Sequence, residues 1–110
     1  MAVSLFAQTE HMTKGALNVL GRSLANSLGA RNITVNTISP GITDTDMNPS
    51  IRDKDAKAID RVAGMTALGR PGRADDIADA VAFFASNDAR WITGQTVDVN
   101  GGLFLGPREP

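Results

Sequence analysis

The stretch "EHMTKGALNVLGRSLANSLGARNITVNTISPG", residues 10–41, decides the fold. From Thr9 to about Leu28, the residues Ala16, Leu17, Leu20, Leu24 and Leu28 recur at spacings of three and four. That period predicts a helix with one apolar face, and Lys14, Arg22 and Asn26 fall largely outside the stripe. Thr9 suits the N-cap and Gly29 the C-terminal stop. In "NITVNTISPG" the β-branched residues Ile33, Val35 and Ile38 alternate with polar ones and end in Pro-Gly, which predicts a short strand. A long helix running directly into a strand is half of a βαβ crossover. The strand that should precede the helix is not expected in the chain; "MAVSLF", residues 1–6, offers only a poor substitute.

Working outward, residues 43–54 are polar and irregular. "KDAKAIDRVAGMTAL" (54–68) predicts a weak helix with Ala56, Ile59, Val62 and Ala63 on one side. "GRPGR" (69–73) is a turn. "ADDIADAVAFFAS" (74–86) predicts a strong helix: Ile77, Ala80, Val81 and Phe84 line one face, and Asp75 and Asp76 suit its N-terminal dipole. "NDARWITG" (87–94) reads as a loop and "QTVDVNGG" (95–102) as a second short strand ended by glycines. The expected order is α-β-α-α-β: about two parallel strands and three helices, of α/β class. Two parallel strands alone are marginal, so this reading requires more sheet from elsewhere, either further chain or a second copy. The aromatic residues Phe83, Phe84, Trp91 and Phe104 read as packing residues.

The composition sets bounds. A chain of 110 residues suits one domain, and 42% apolar with 21% charged residues is ordinary for a soluble globular protein. A net charge of −1 gives no basic footprint for nucleic acid. With no cysteine and one histidine, His11, the chain offers neither disulfides nor thiolate nucleophiles nor a multi-histidine metal site, so no metal is expected. No apolar run approaches membrane-span length, and the N-terminus lacks the features of a signal peptide. The expectation is a cytoplasmic protein, bound to neither nucleic acid nor membrane.

Two segments, "TKGALNVLGRSLANSLGARNITVNTISPG" and "GRPGRADDIADAVAFFASNDARWITGQTVDVNGG", carry a resemblance to a known family. From Thr9 to Gly106 the chain resembles the C-terminal part of a short-chain dehydrogenase/reductase. The resemblance implies a portion of a doubly wound Rossmann-type sheet, a single partial domain over residues 1–110, with NAD or NADP at the carboxyl ends of the strands. It implies that Lys14 is the active-site lysine, which bonds the nicotinamide ribose and lowers the pKa of a neighbouring tyrosine. It sets Pro40 and Gly41 against the nicotinamide and the Ile42 backbone on its carboxamide. Thr43 and Thr45 fall in the segment that contacts carboxamide and diphosphate. Residues 43–65 correspond to the substrate lid, and "TVDVNGG" to the strand that pairs across a two-fold axis in many members.

The departures from the family pattern bear on activity. The tyrosine position, four residues before Lys14, holds Glu10. Ser4 is too near that position to match the carbonyl-orienting serine, and no G-x-G-x-x-G occurs in the 110 residues. Carbonyl reduction needs a proton donor, whereas a glutamate with an ordinary pKa near ~4.3 is ionised at neutral pH, and a lysine one turn away favours the anion further. The plainer reading of Glu10 and Lys14 is an i,i+4 surface pair. His11 is displaced by about 100° around the helix and reads as a first-turn residue. Arg70 and Arg73 flank a Pro-Gly turn that is better read as solvated than as a phosphate site.

The sequence therefore predicts a relative of NAD(P)-dependent oxidoreductases acting on alcohol or carbonyl groups that is catalytically incompetent as encoded. The alternative is a non-catalytic interaction module, a homo-oligomer or a piece docking on an intact family member. A third reading pairs the chain with a separately encoded N-terminal half, and a fourth takes it as a shortened frame that folds poorly.

Overall fold

The computed structural model describes residues 1–6, 11–44 and 53–107, with Phe6 and residues 11–14 described by their backbone alone. Among the described residues, three strands and three helices follow in the order β1 (Ala2–Phe6), α1 (His11–Leu28), β2 (Thr34–Pro40), α2 (Ala56–Met65), α3 (Ala74–Ala85) and β3 (Thr96–Val99). Short 3-10 turns occupy Gly29–Arg31 and Asn87–Ala89. The sheet order is β1-β2-β3. β1 runs parallel to β2, from Ala2 opposite Thr34 to Phe6 opposite Ile38. On the other side, Gly94 N–H donates to Val35 C=O (2.7 Å) and Thr37 N–H to Gln95 C=O (2.8 Å), so β3 also advances in parallel with β2.

The expectation that the strand preceding α1 lies outside the chain is overturned, and two strands become three. The first five strand residues alternate, and Val3 and Leu5 pack on the buried cluster of Ala25, Ile33 and Val35. Five residues with only two apolar positions inside give a weak sequence signal, yet they pair with β2 from Thr34 to Ile38.

The chain divides into two compact units, Met1–Ser39 with Ala78–Asp98, and Pro40–Ile77 with Val99–Pro110. In the first, β2 is almost wholly enclosed: Val35 and Ile38 are fully buried, and so are Asn36 and Thr37. Near-continuous burial on both faces is what a central parallel strand requires. α1 approaches the sheet through small residues. Gly21 and Ala25 are its buried positions, while Ala16 and Leu20 are exposed, so the inward face is rotated from the one counted on large residues. The left-handed stop after α1 is Asn32 (φ 59°), whose N–H bonds Gly29 C=O, rather than Gly29 itself. Thr9, read as the N-cap, lies outside the described residues.

In the second unit, Asp55 caps α2 by accepting from the Lys57 and Ala58 amides (3.0 and 3.4 Å). The helix buries Ala58 and Val62, with Ile42 and Ile59 packed against them. Ala56, expected inward, is exposed; Ala58 takes that role, because Ala58 and Val62 stand one turn apart on the same face. The face read for α3 holds: Ile77, Ala80 and Val81 are half-buried and Phe84 is buried. Of the other aromatics read as packing residues, Trp91 is 97% exposed, and Phe83 and Phe104 are exposed as well. Their size suits burial, but each lies at a helix flank or loop, and of the three Phe83 meets another ring, that of Phe84, edge-on.

Candidate functional site

Of the residues read as cofactor-facing, Pro40, Gly41, Ile42 and Thr43 fall on one short segment of the second unit. β2 ends at Pro40, and Gly41, Ile42, Thr43 and Asp44 follow. Gly41 N–H donates to Val99 C=O at 3.3 Å. A Cβ on Gly41 would lie 2.7 Å from Asn100 Cβ and 3.0 Å from its Cα. The glycine is therefore required by the chain's own backbone packing, whatever else approaches it.

Beyond Gly41 the segment is held by a second turn. Gly72 N–H donates to Ile42 C=O (2.9 Å) and Asp44 N–H donates to Gly72 C=O (2.8 Å), a parallel bridge centred on Thr43. Thr43 is buried, and a Cβ on Gly72 would come within 2.8 Å of its Cγ2. Asp44 is paired at 3.4 Å with Lys54, a residue in the left-handed region (φ 62°).

Gly72 sits inside a charged clamp. Arg70 donates to both oxygens of Asp76, Nη1 to Oδ2 at 2.7 Å and Nη2 to Oδ1 at 3.1 Å, and also to Pro71 C=O at 3.0 Å. Asp76 Oδ2 accepts in addition from the Arg73 amide at 2.8 Å. This is the reach-back of a third-position helix acid to the N-cap amide, completed by a bidentate guanidinium. The hydrogen bonds from Arg70, first, and from the Arg73 backbone hold the Asp76 carboxyl down at about 2, and Asp76 in turn raises the Arg70 guanidinium. Arg70 is thus committed to Asp76. Sequence reading passed over Asp76 as a helix-dipole residue and missed Gly72 and Asn100. The signal was an arginine six residues before an acid, across a Pro-Gly turn, at the start of a helix.

A cavity of about 160 Å³ opens among these groups, lined by Gly41, Ile42, Thr43, Arg70, Ile77 and Asn100 among others. Gly41 follows β2 and Asn100 follows β3, so the cavity belongs to the carboxyl-end segments of the strands, where open α/β sheets bind ligands. Lys14 belongs to α1 in the first unit, and its side chain is outside the description. Glu10 and Thr45 lie outside the described residues altogether, as does part of the segment read as a lid. Among the described residues no cluster of metal-ligating side chains occurs, and no helix is long and apolar enough to cross a membrane.

The family model described as enoyl-(acyl carrier protein) reductase matches residues 3–104. Over 84 residues the chain is 50% identical to the 3-oxoacyl-[acyl-carrier-protein] reductase FabG of Haemophilus influenzae, a match covering 76% of this chain and 34% of that protein. Among solved structures it is similar to the promiscuous reductase LugOII, which catalyses keto-reduction at C1 during lugdunomycin biosynthesis (TM-score 0.79, 34% identity, 93% of this chain and 44% of that one). It is also similar to the angucycline C-6 ketoreductase LanV with bound NADP (TM-score 0.74, 32% identity, 94% and 44%). The chain belongs to the short-chain dehydrogenase/reductase family, and it spans 34–37% of the length of the first curated relatives it matches.

Proposed function

We propose that these residues form the nicotinamide side of an NAD(P)-dependent oxidoreductase site, and that the 110-residue chain by itself does not reduce carbonyls. The observation that carries the reading is the fixed segment Gly41–Asp44 past the end of β2, within a match that spans residues 3–104. The donor set there fits a carboxamide. The Ile42 carbonyl accepts from the Gly72 amide, which fixes the backbone at Ile42, whose amide the family resemblance sets on the carboxamide. Ile42 and Thr43 would hold the carboxamide and Lys14 the ribose; Thr45 would complete the set. When bound, the cofactor would supply a hydride. No glycine-rich diphosphate turn occurs within these 110 residues, so the reading concerns the nicotinamide end.

The incompetence follows from Glu10. A carboxylate at the tyrosine position, beside Lys14, is a poor proton donor at neutral pH. The test is a titration of the 110-residue chain with NADH and NADPH, read by nicotinamide fluorescence, alongside a carbonyl-reduction assay. Saturable binding that Lys14→Ala weakens supports the reading, as does the absence of turnover. Turnover clearly above background that Lys14→Ala abolishes overturns the incompetence, and no binding at millimolar cofactor overturns the nicotinamide site.

A second reading has its own support. On α1, Val19 is 70% exposed and Leu20 48% exposed, an apolar pair on the helix flank. Apolar side chains of this kind suit association with a second copy or an intact family member, in the cytoplasm. A compact monomer at all concentrations in ultracentrifugation, unchanged by Leu20→Lys, removes that reading.

A further inference from the structure

We infer that the Arg70–Asp76 pair is a positioning device, which sets the backbone of the Ile42–Asp44 segment through Gly72. This rests on the reading of that segment as nicotinamide-facing. The path is continuous within the second unit. Asp76 fixes Arg70 by two bonds and the Arg73 amide by a third. Arg70 also reaches Pro71 C=O, so the residues on both sides of Gly72 are tied to one carboxylate. Gly72 then exchanges two backbone hydrogen bonds with Ile42 and Asp44. Both side chains are partly exposed, so the directed bonds rather than burial carry their effect. Bidentate charge-assisted bonds fix angle as well as distance, which an ordinary surface ion pair does not. The absence of a side chain on Gly72 lets the turn close to within contact of Thr43, so a small rotation of the turn is passed to residues 42–44 without slack. Arg70 and Asp76 need touch no ligand for this; they act on the geometry of the Ile42 amide.

The test is amide hydrogen exchange by NMR on the 110-residue chain, with NADH and NADPH titrations in parallel. In Asp76→Asn, the Gly72 and Asp44 amides exchange roughly tenfold faster while the Thr37 amide within the sheet is unchanged, because a local opening and not global unfolding is released. Asp76→Glu keeps a carboxylate and restores most of the protection. Arg70→Gln behaves as Asp76→Asn does. In the titrations, cofactor affinity falls roughly in step with the lost protection. Unchanged exchange at Gly72 and Asp44 overturns the inference, as does a uniform rise that includes Thr37. Equal cofactor affinity in the parent chain and Asp76→Asn overturns its functional half. If the parent chain binds neither cofactor, the nicotinamide reading falls alone, and the exchange rates still decide whether the clamp positions the segment.

Discussion

Gly21 of α1 lies so close over Thr37 of β2 that an added Cβ would stand 2.7 Å from the threonine Oγ1. Thr37 is almost fully buried and β-branched, so its hydroxyl has little freedom to move aside. The contact sets the distance between the long helix and the sheet.

Gly21→Ala is therefore expected to destabilise the chain by about 1–3 kcal/mol, the usual range for overpacking a filled core. Its gain in helix propensity, about 1 kcal/mol at most, offsets only part of the clash. Thr37→Ala removes the opposing atom, so the double variant should be less destabilised than the sum of the two singles. Urea unfolding of the four proteins measures this directly. Strict additivity would show that helix and strand do not meet through this pair.

That contact also explains what the sequence made legible and what it hid. The period of Leu17, Leu24 and Leu28 identifies α1, and the β-branched run Ile33–Ile38 identifies β2, because each is long enough for its pattern to dominate. On α1, Leu17, Leu24 and Leu28 turn inward as read while Ala16 and Leu20 do not, because hydrophobic counting weighs large side chains while close helix–sheet approach selects small ones such as Gly21 and Ala25. β1 offered only a poor strand signal, since just Val3 and Leu5 of its five residues pack inward. At the site, Pro40–Thr43 could be named only through the family resemblance, since a Pro-Gly turn ends many strands. The clamp on Gly72 joins residues 70, 73 and 76 around a turn, a pairing with no helical or strand period to announce it.

Asn36 gives a second prediction. It is 1% exposed within β2, yet its side chain is bonded at both ends: Nδ2 donates to Ile92 C=O (3.1 Å) and Oδ1 accepts from the Gln95 amide (3.2 Å). It thereby ties the loop before β3 to the sheet. Asn36→Ala removes both bonds and leaves a backbone donor and acceptor without partners, an expected loss of about 1–3 kcal/mol. Exchange at the Gln95 amide should accelerate more than at Thr37. An unfolding midpoint within error of the parent would show that the loop holds its place without Asn36.

The pH dependence gives a third prediction, with its sign fixed by Asp76. Its carboxyl titrates at about 2 in the folded chain, against an ordinary value of 3.8, because Arg70 and the Arg73 amide bond the charged form. A group whose pKa is lowered on folding favours the folded state above its unfolded value, and that contribution is lost as pH falls toward the folded value. The stability difference between the parent chain and Asp76→Asn should therefore be constant above pH 4, shrink as pH falls from about 4 to about 2, and vanish below. The pair is partly exposed, so high salt should lower the plateau and, by the same linkage, bring the lower end of the window up toward the unfolded value. Urea midpoints of both proteins between pH 2 and pH 7 measure the difference with the other carboxylates cancelled. A difference that does not change with pH in this range would show that Asp76 gains nothing from its charge, and the clamp would then be a crossing of side chains without electrostatic hold.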